Sequence, residues 1–180
     1  PYTSLWGHKK TQYLKDAYRH PIVIDDEIEK INPKRLAQSR SEKIIIAGMS
    51  KHIEAYLDSG EYLAGKSTTI ILDNSNKLLF LTGILNSKLV AFYVSTFFHS
   101  LKMSGGYLNI SKEIIQNIPL PTNDEIREQN FIGMVKNIAN KIKLEPSFDT
   151  KETQSKIDEL VYTLYNLNDK EISVVENYIN

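Results

Sequence analysis

Residues 1–42 are polar, interrupted by short apolar pieces such as Ile22-Val23-Ile24. Lys43 to Met49, "KIIIAGM", is short and β-branched, which predicts a buried strand. "EYLAGKSTTIILD" predicts a β-hairpin: an extended arm, a turn at Ala64-Gly65-Lys66, and a second arm from Thr68 to Leu72. Asp73 to Asn76 form a turn cluster. Residues 77–98 are apolar nearly all round and are broken by Gly83 and by Asn86-Ser87, which predicts two buried helices meeting near Asn86. "YLNI" at 107–110 reads as a strand, with Ser111 as the N-cap of a short helix over 112–117. Pro119 and Pro121 then force an extended segment.

The remainder is helical. Phe131, Met134, Val135, Ile138 and Ile142 fall on one helix face, and Ile157, Leu160, Val161 and Leu164 repeat the spacing. Asn168 with Glu171 resembles a capping box ahead of Ile172, Val175 and Ile179. Together these elements predict an α+β fold: a small β-rich domain with a buried helix pair over 1–121, then a helical extension or spacer over 122–180.

Composition agrees with a packed core, since hydrophobic residues make up 41% and charged residues 24% of 180. Cysteine is absent, which removes disulfides and thiolate metal sites and is compatible with a cytoplasmic location. No apolar run approaches the roughly 20 residues of a membrane span. No signal peptide is visible, and the Pro1-Tyr2 start suggests a piece of a longer protein with chemistry upstream. Net charge is zero but uneven: residues 1–112 carry 15 Lys and Arg against 10 Asp and Glu, and residues 113–180 carry 7 against 12. A basic front suggests an anionic partner.

Gly60 to Ser67 spell the G-x-x-x-x-G-K-[ST] string of a phosphate loop. That loop works because a helix begins right after Lys-Ser/Thr and its N-terminal N–H groups hold the phosphates. Here Thr68-Thr69-Ile70-Ile71-Leu72 is strand-like, so the string predicts an exposed turn lysine and not a nucleotide site. His8, His20, His52 and His99 are scattered without a second ligand at helical spacing. Asp25-Asp26-Glu27 reads as a solvated loop or a helix start, and no G-x-S-x-G nucleophile is present. No catalytic or metal residues are assigned.

From Lys43 to Pro121 the order of elements, with "GILNSKL" at 83–89 and "GYLNIS" at 106–111 leading to "IPLP" at 118–121, resembles the TaqI-like C-terminal specificity domain. That domain is the target-recognition region of restriction-modification DNA adenine methyltransferases, including forms fused to an endonuclease. The tail at 157–176 looks like the end of many such proteins, so the resemblance covers about two thirds of the chain. It implies sequence-specific DNA recognition for an upstream methyltransferase domain. That domain would hold S-adenosylmethionine, with magnesium as a further cofactor of the parent. Asn32-Pro33-Lys34 stops short of the Asn/Asp-Pro-Pro-Tyr/Phe motif, so this fragment is not expected to methylate or cleave DNA, and no cofactor is expected within it. The motif residues read as architectural, none an obvious base reader.

The expected partner is double-stranded DNA, with no membrane role. Phosphate contacts are assigned to Lys9, Lys10, Lys15, Arg19, Lys34, Arg35, Arg40, Lys51 and Lys66. Base reading is assigned first to Arg35, Gln38 and Arg40, and second to the tip Lys66-Ser67-Thr68. Tyr13 and Tyr18 are candidates for packing on the sugar-phosphate backbone. The alternatives are a specificity subunit of a multi-subunit restriction system, a helical protein-interaction module without nucleic-acid binding, and, last, a nucleotide hydrolase.

Overall fold

Two antiparallel hairpins open the chain, β1 (Thr3–Ser4) with β2 (Gly7–His8) and β3 (Thr11–Tyr13) with β4 (Asp16–Tyr18). The computed structural model describes residues 3–4, 6–8, 11–13, 16–18, 21–121, 125–145 and 147–179. Two short helices follow where the sequence reads as polar: α1 (Asp25–Ile31) and α2 (Pro33–Arg40). Asp25, Asp26 and Glu27 fill the first turn of α1, where the helix dipole favours anions. Asn32 ends α1 and caps α2, its Oδ1 accepting from Arg35 N at 3.1 Å, and Pro33 occupies the first turn.

The main sheet has three antiparallel strands in the order β7-β5-β8, with β5 (Lys43–Ala47) central, β7 (Ala55–Asp58) and β8 (Thr68–Ile71). Every residue of β5 is buried, as its β-branched run predicts. The two faces of β5 separate by alternation. Ile44 and Ile46 enter the main core with Leu78, Ile84 and Phe131. Lys43 faces the other way, toward α2 and the segment 59–67, and Ile45 is buried outside that main cluster. The next strand, β6 (Met49–Ser50), pairs with β9 (Leu108–Asn109), with Gly48 at the joint.

The predicted hairpin at 61–72 is corrected by this topology. The arm Glu61–Ala64 is not a strand, and β8 pairs with β5 instead. Both β7 and β8 run antiparallel to β5, so they are parallel to each other. Asp58 lies opposite Lys43 and Thr68 lies opposite Ala47, at the two ends of β5. The connection must therefore travel the length of the sheet, which a tight turn cannot do.

The helix pair is α3 (Ser75–Leu85) and α4 (Lys88–Phe97), bent by 63° at Asn86-Ser87. The Asn86 amide lies against the edge of β7: its Oδ1 accepts from Ala55 N at 2.8 Å and its Nδ2 donates to Ala55 O at 2.9 Å. Ser87 Oγ caps α4 by accepting from Val90 N at 3.2 Å. Gly83 sits where α3 meets the helix α6 (Glu125–Leu144). A Cβ there would lie 2.5 Å from Phe131 Cζ and from Val135 Cγ2. The predicted short helix is α5 (Lys112–Gln116), with Ser111 Oγ accepting from Ile114 N at 3.3 Å.

α6, α7 (Lys151–Leu164) and α8 (Asp169–Ile179) complete the chain. The capping box forms: Asn168 Oδ1 accepts from Glu171 N at 3.2 Å and Glu171 Oε2 accepts from Asn168 N at 2.9 Å. The α+β class holds, at 57% helix and 12% strand, so helices supply most of the core. The core does not stop at residue 121. Phe131, Val135, Ile138, Ile157 and Val161 are sealed in one cluster with Trp6, Ile44 and Leu78. The helices after 124 close the core of this chain, where the sequence reading gave them a spacer role. Trp6 Nε1 also donates to Gln154 Oε1 at 2.7 Å, tying the first residues to α7.

Candidate nucleic-acid interface

Helix α2 presents its basic residues unequally. Lys34 is exposed and has no partner among the described residues. Arg35 donates from Nη2 to the carbonyl of Ala64 at 2.7 Å, which fixes the guanidinium against the crossover segment 59–67. Gln38 is half-buried and lines a small cleft with Lys43, Leu63 and Ile70. Arg40, at the far end of α2, forms an exposed ion pair with Asp25. The three residues read together as base readers therefore point to different surroundings. Lys9, Lys10, Lys15 and Arg19 lie outside the described residues, as does the side chain of Tyr13. Tyr18 is exposed.

The crossover delivers the second group. Lys66 and Ser67 form an exposed turn, closed by Thr68, whose N and Oγ1 donate to Gly65 O at 3.2 and 2.6 Å. No helix follows, so the phosphate-loop string lacks the N–H cradle that its chemistry needs. Its first glycine has a different task. Gly60 has φ +92° and lies so close to Arg40 that a Cβ would be 2.5 Å from that carbonyl oxygen. Ser67 O accepts from Gly48 N at 2.9 Å. A Cβ on Gly48 would sit 2.3 Å from the same oxygen, so only glycine lets the turn reach the joint between β5 and β6.

That contact places Lys66 beside the β6–β9 ribbon. On the ribbon, Lys51 lies over the Tyr107 ring at 5.8 Å from its centroid. Arg35, Lys51, Lys66, Ser67 and Thr68 thus gather at the end of the sheet marked by Ala47 and Thr68, with Lys34 in the same turn as Arg35. Glu54 is at this end too, its carbonyl accepting from Ala47 N at 3.1 Å.

The opposite end of the sheet is different in kind. Lys43 and Asp58 form an ion pair with both side chains sealed from solvent. Lys43 Nζ also donates to Ser39 O at 2.9 Å and Ser41 O at 3.2 Å. Asp58 accepts from the backbone N of Glu61 and of Tyr62 at 3.0 and 3.3 Å. Lys143 pairs with Glu61 at 2.5 Å; this hydrogen bond holds the Glu61 carboxyl below its usual range, and burial only partly opposes it. Lys43, Arg40 and Lys143 at that end pair with carboxylates, while Arg35, Lys51 and Lys66 are exposed.

Sequence reasoning missed Met49, Tyr107 and Asn109 as surface positions. Their signal was the alternation of "GMSK" against "YLNI", which sets every second side chain outward once the two are paired. Among the described residues no group of three or more His, Asp or Glu is placed to hold a metal ion. Asn32, the asparagine of Asn32-Pro33-Lys34, serves as the cap of α2, its amide oxygen accepting from Arg35 N.

An α+β domain with a buried helix pair, a crossover and one cationic sheet end is the frame on which the comparison with known families falls. Residues 5–120 match the TaqI-like C-terminal specificity domain. The chain belongs to that family and is a specificity domain of the restriction-modification class. The match reaches back to residue 5, taking in α1 and α2, which the resemblance read from 43–121 did not. The tail at 157–176 lies outside it. No curated protein matches the chain.

Proposed function

We propose that this chain reads the DNA target for a restriction-modification adenine methyltransferase, with or without a fused endonuclease. The observation that carries the reading is the gathering of Arg35, Lys51 and Lys66 at one end of the sheet in a chain of the specificity-domain family. Phosphates are neutralised by these side chains and by Lys34, which positions the domain without encoding sequence. Arg40 is held by Asp25 and takes a lesser part. S-adenosylmethionine, and magnesium where cleavage occurs, belong to the methyltransferase and nuclease parts of the parent. The setting is cytoplasmic. Among the described residues, no single helix is long and apolar enough to cross a membrane.

The test is a salt titration of the full chain on duplex DNA. Affinity is expected to fall linearly in log–log form, with the slope reduced by about 0.9 for each phosphate contact removed. Lys66→Ala and the double change Lys34→Ala with Arg35→Ala should each flatten that slope. No binding to any duplex at low salt overturns the reading and leaves a helical protein-interaction module.

A further inference from the structure

The β6–β9 ribbon carries a two-by-two array of outward side chains. The register sets Met49 opposite Asn109 and Ser50 opposite Leu108. Ile110 N donates to Gly48 O at 2.9 Å, and the Lys51–Tyr107 stacking continues the pairing one residue beyond the strands. Alternation then divides the ribbon cleanly. Ser50, Leu108 and Ile110 are buried, and Leu108 and Ile110 are anchored in the main core. Met49 is 49% exposed, Tyr107 is 40% exposed, and Lys51 and Asn109 are exposed beside them.

Two of these four are unusual on a free surface. Met49 leaves about half of an apolar side chain, 49%, exposed to solvent. Asn109 has no hydrogen-bond partner among the described residues, so its amide donor and acceptor are both available. The backbone holding them is anchored: Leu108 is buried in the core, and Met103 N donates to Tyr107 O at 2.8 Å across the turn at Gly105 and Gly106. Lys66 and Ser67 flank the ribbon through the Ser67–Gly48 contact.

A two-stranded antiparallel ribbon fits the major groove of B-DNA, and there an Asn amide matches the N6 and N7 of adenine while an apolar side chain meets the thymine methyl. We propose that the β6–β9 ribbon enters the major groove and reads an A·T pair, Asn109 bonding adenine and Met49 contacting a thymine methyl. Lys51 and Lys66 hold the flanking phosphates, and Tyr107 keeps the Lys51 ammonium in place. The proposal rests on the DNA-reading function above and names residues that reading does not require. It also changes the role of Asn109, which lies within the "GYLNIS" motif read from sequence as architectural.

The test begins with binding of the full chain to a randomised duplex pool, followed by sequencing of the bound fraction. Wild type is expected to enrich one word containing a fixed A·T pair. Asn109→Ala should lose at least about tenfold of the preference at that pair, the discrimination of one bidentate contact. Its affinity for unrelated duplex should stay within about threefold, since phosphate contacts supply that term. Chemical substitution in the DNA supplies a second readout on the unaltered protein. 7-Deazaadenine at the fixed adenine should weaken wild type and leave Asn109→Ala unaffected, and uracil for thymine should do the same for wild type against Met49→Ala. If wild type and both variants enrich the same word equally, or if the base analogues are without effect, the ribbon is not the reader while DNA recognition stands. If wild type binds no duplex, both readings fall together.

Discussion

Lys43 Nζ donates to the carbonyls of Ser39 and Ser41 and to the carboxylate of Asp58, and both charged side chains are sealed from solvent. One buried group thereby ties the end of α2, the first residue of β5 and the last residue of β7. Asp58 extends the tie to the start of the crossover through Glu61 N and Tyr62 N. Lys43→Met would leave Asp58 buried without its counter-ion. The expected cost is roughly 3–5 kcal/mol of folding stability, the range for breaking one side of a buried pair. Urea unfolding checks this, and a loss under about 1 kcal/mol would show that the two backbone N–H groups suffice for Asp58. In the sequence Lys43 is one more cation of the basic front. In the fold it is buried and paired with Asp58, so it is not available to a phosphate.

At the scale of elements, the joint between α3 and α4 shows how "GILNSKL" works. Gly83 admits Phe131 and Val135, Asn86 pairs with the backbone of β7, and Ser87 caps α4. Asp158 on α7 joins them, accepting from Lys88 N at 2.9 Å and Gln154 Nε2 at 3.1 Å, while its second oxygen has no partner among the described residues. Burial pushes the Asp158 carboxyl up to about 6, and those two hydrogen bonds with Lys88 charge offset only part of that. Its unfolded value is near 3.9. The folded state therefore holds this proton more tightly, and the stabilisation is full below about pH 4 and lost as pH rises through about 6. Glu176 acts in the opposite sense. Desolvation would raise it, but hydrogen bonds from Lys88 and Tyr162 outweigh that and hold it low, so its contribution is lost on acidification. Asp158→Asn removes the first titration and leaves the second. Thermal melting from pH 4 to 7 should show the variant gaining on wild type as pH rises. A gap constant with pH would mean that Asp158 does not titrate in this range.

At the scale of the molecule, α2 and the crossover cover one face of the sheet and the helical core covers the other. Near the Ala47 end, Lys51 and Lys66 are exposed beside the ribbon. The C-terminal helices are integral to this arrangement, since α6 supplies Phe131, Ile132, Val135 and Ile138 to the core beneath the sheet. A chain ending at Pro121 should therefore lose cooperative unfolding, measured as a broad, shallow thermal transition by circular dichroism. A sharp transition in that fragment would establish that residues 1–121 fold on their own, as the division drawn from sequence implies.

By itself the sequence determined the elements whose signal is local: the β-branched strand at 43–47, the break at Asn86-Ser87, the Ser111 cap, the Asn168–Glu171 box and the periodic helices after 124. It also rejected the phosphate loop, because the residues after Ser67 favour a strand wherever they are packed. The family was legible for the same reason, since its motifs are runs of neighbouring residues. Tertiary structure alone decided the partner of β8, which depends on strand order and not on the adjacent arm. It decided that Lys43 is buried and Lys66 is exposed, because charge is a residue's property but desolvation and pairing belong to its surroundings. It placed Asn109 beside Met49 across 60 positions of sequence, a distance that no local propensity spans.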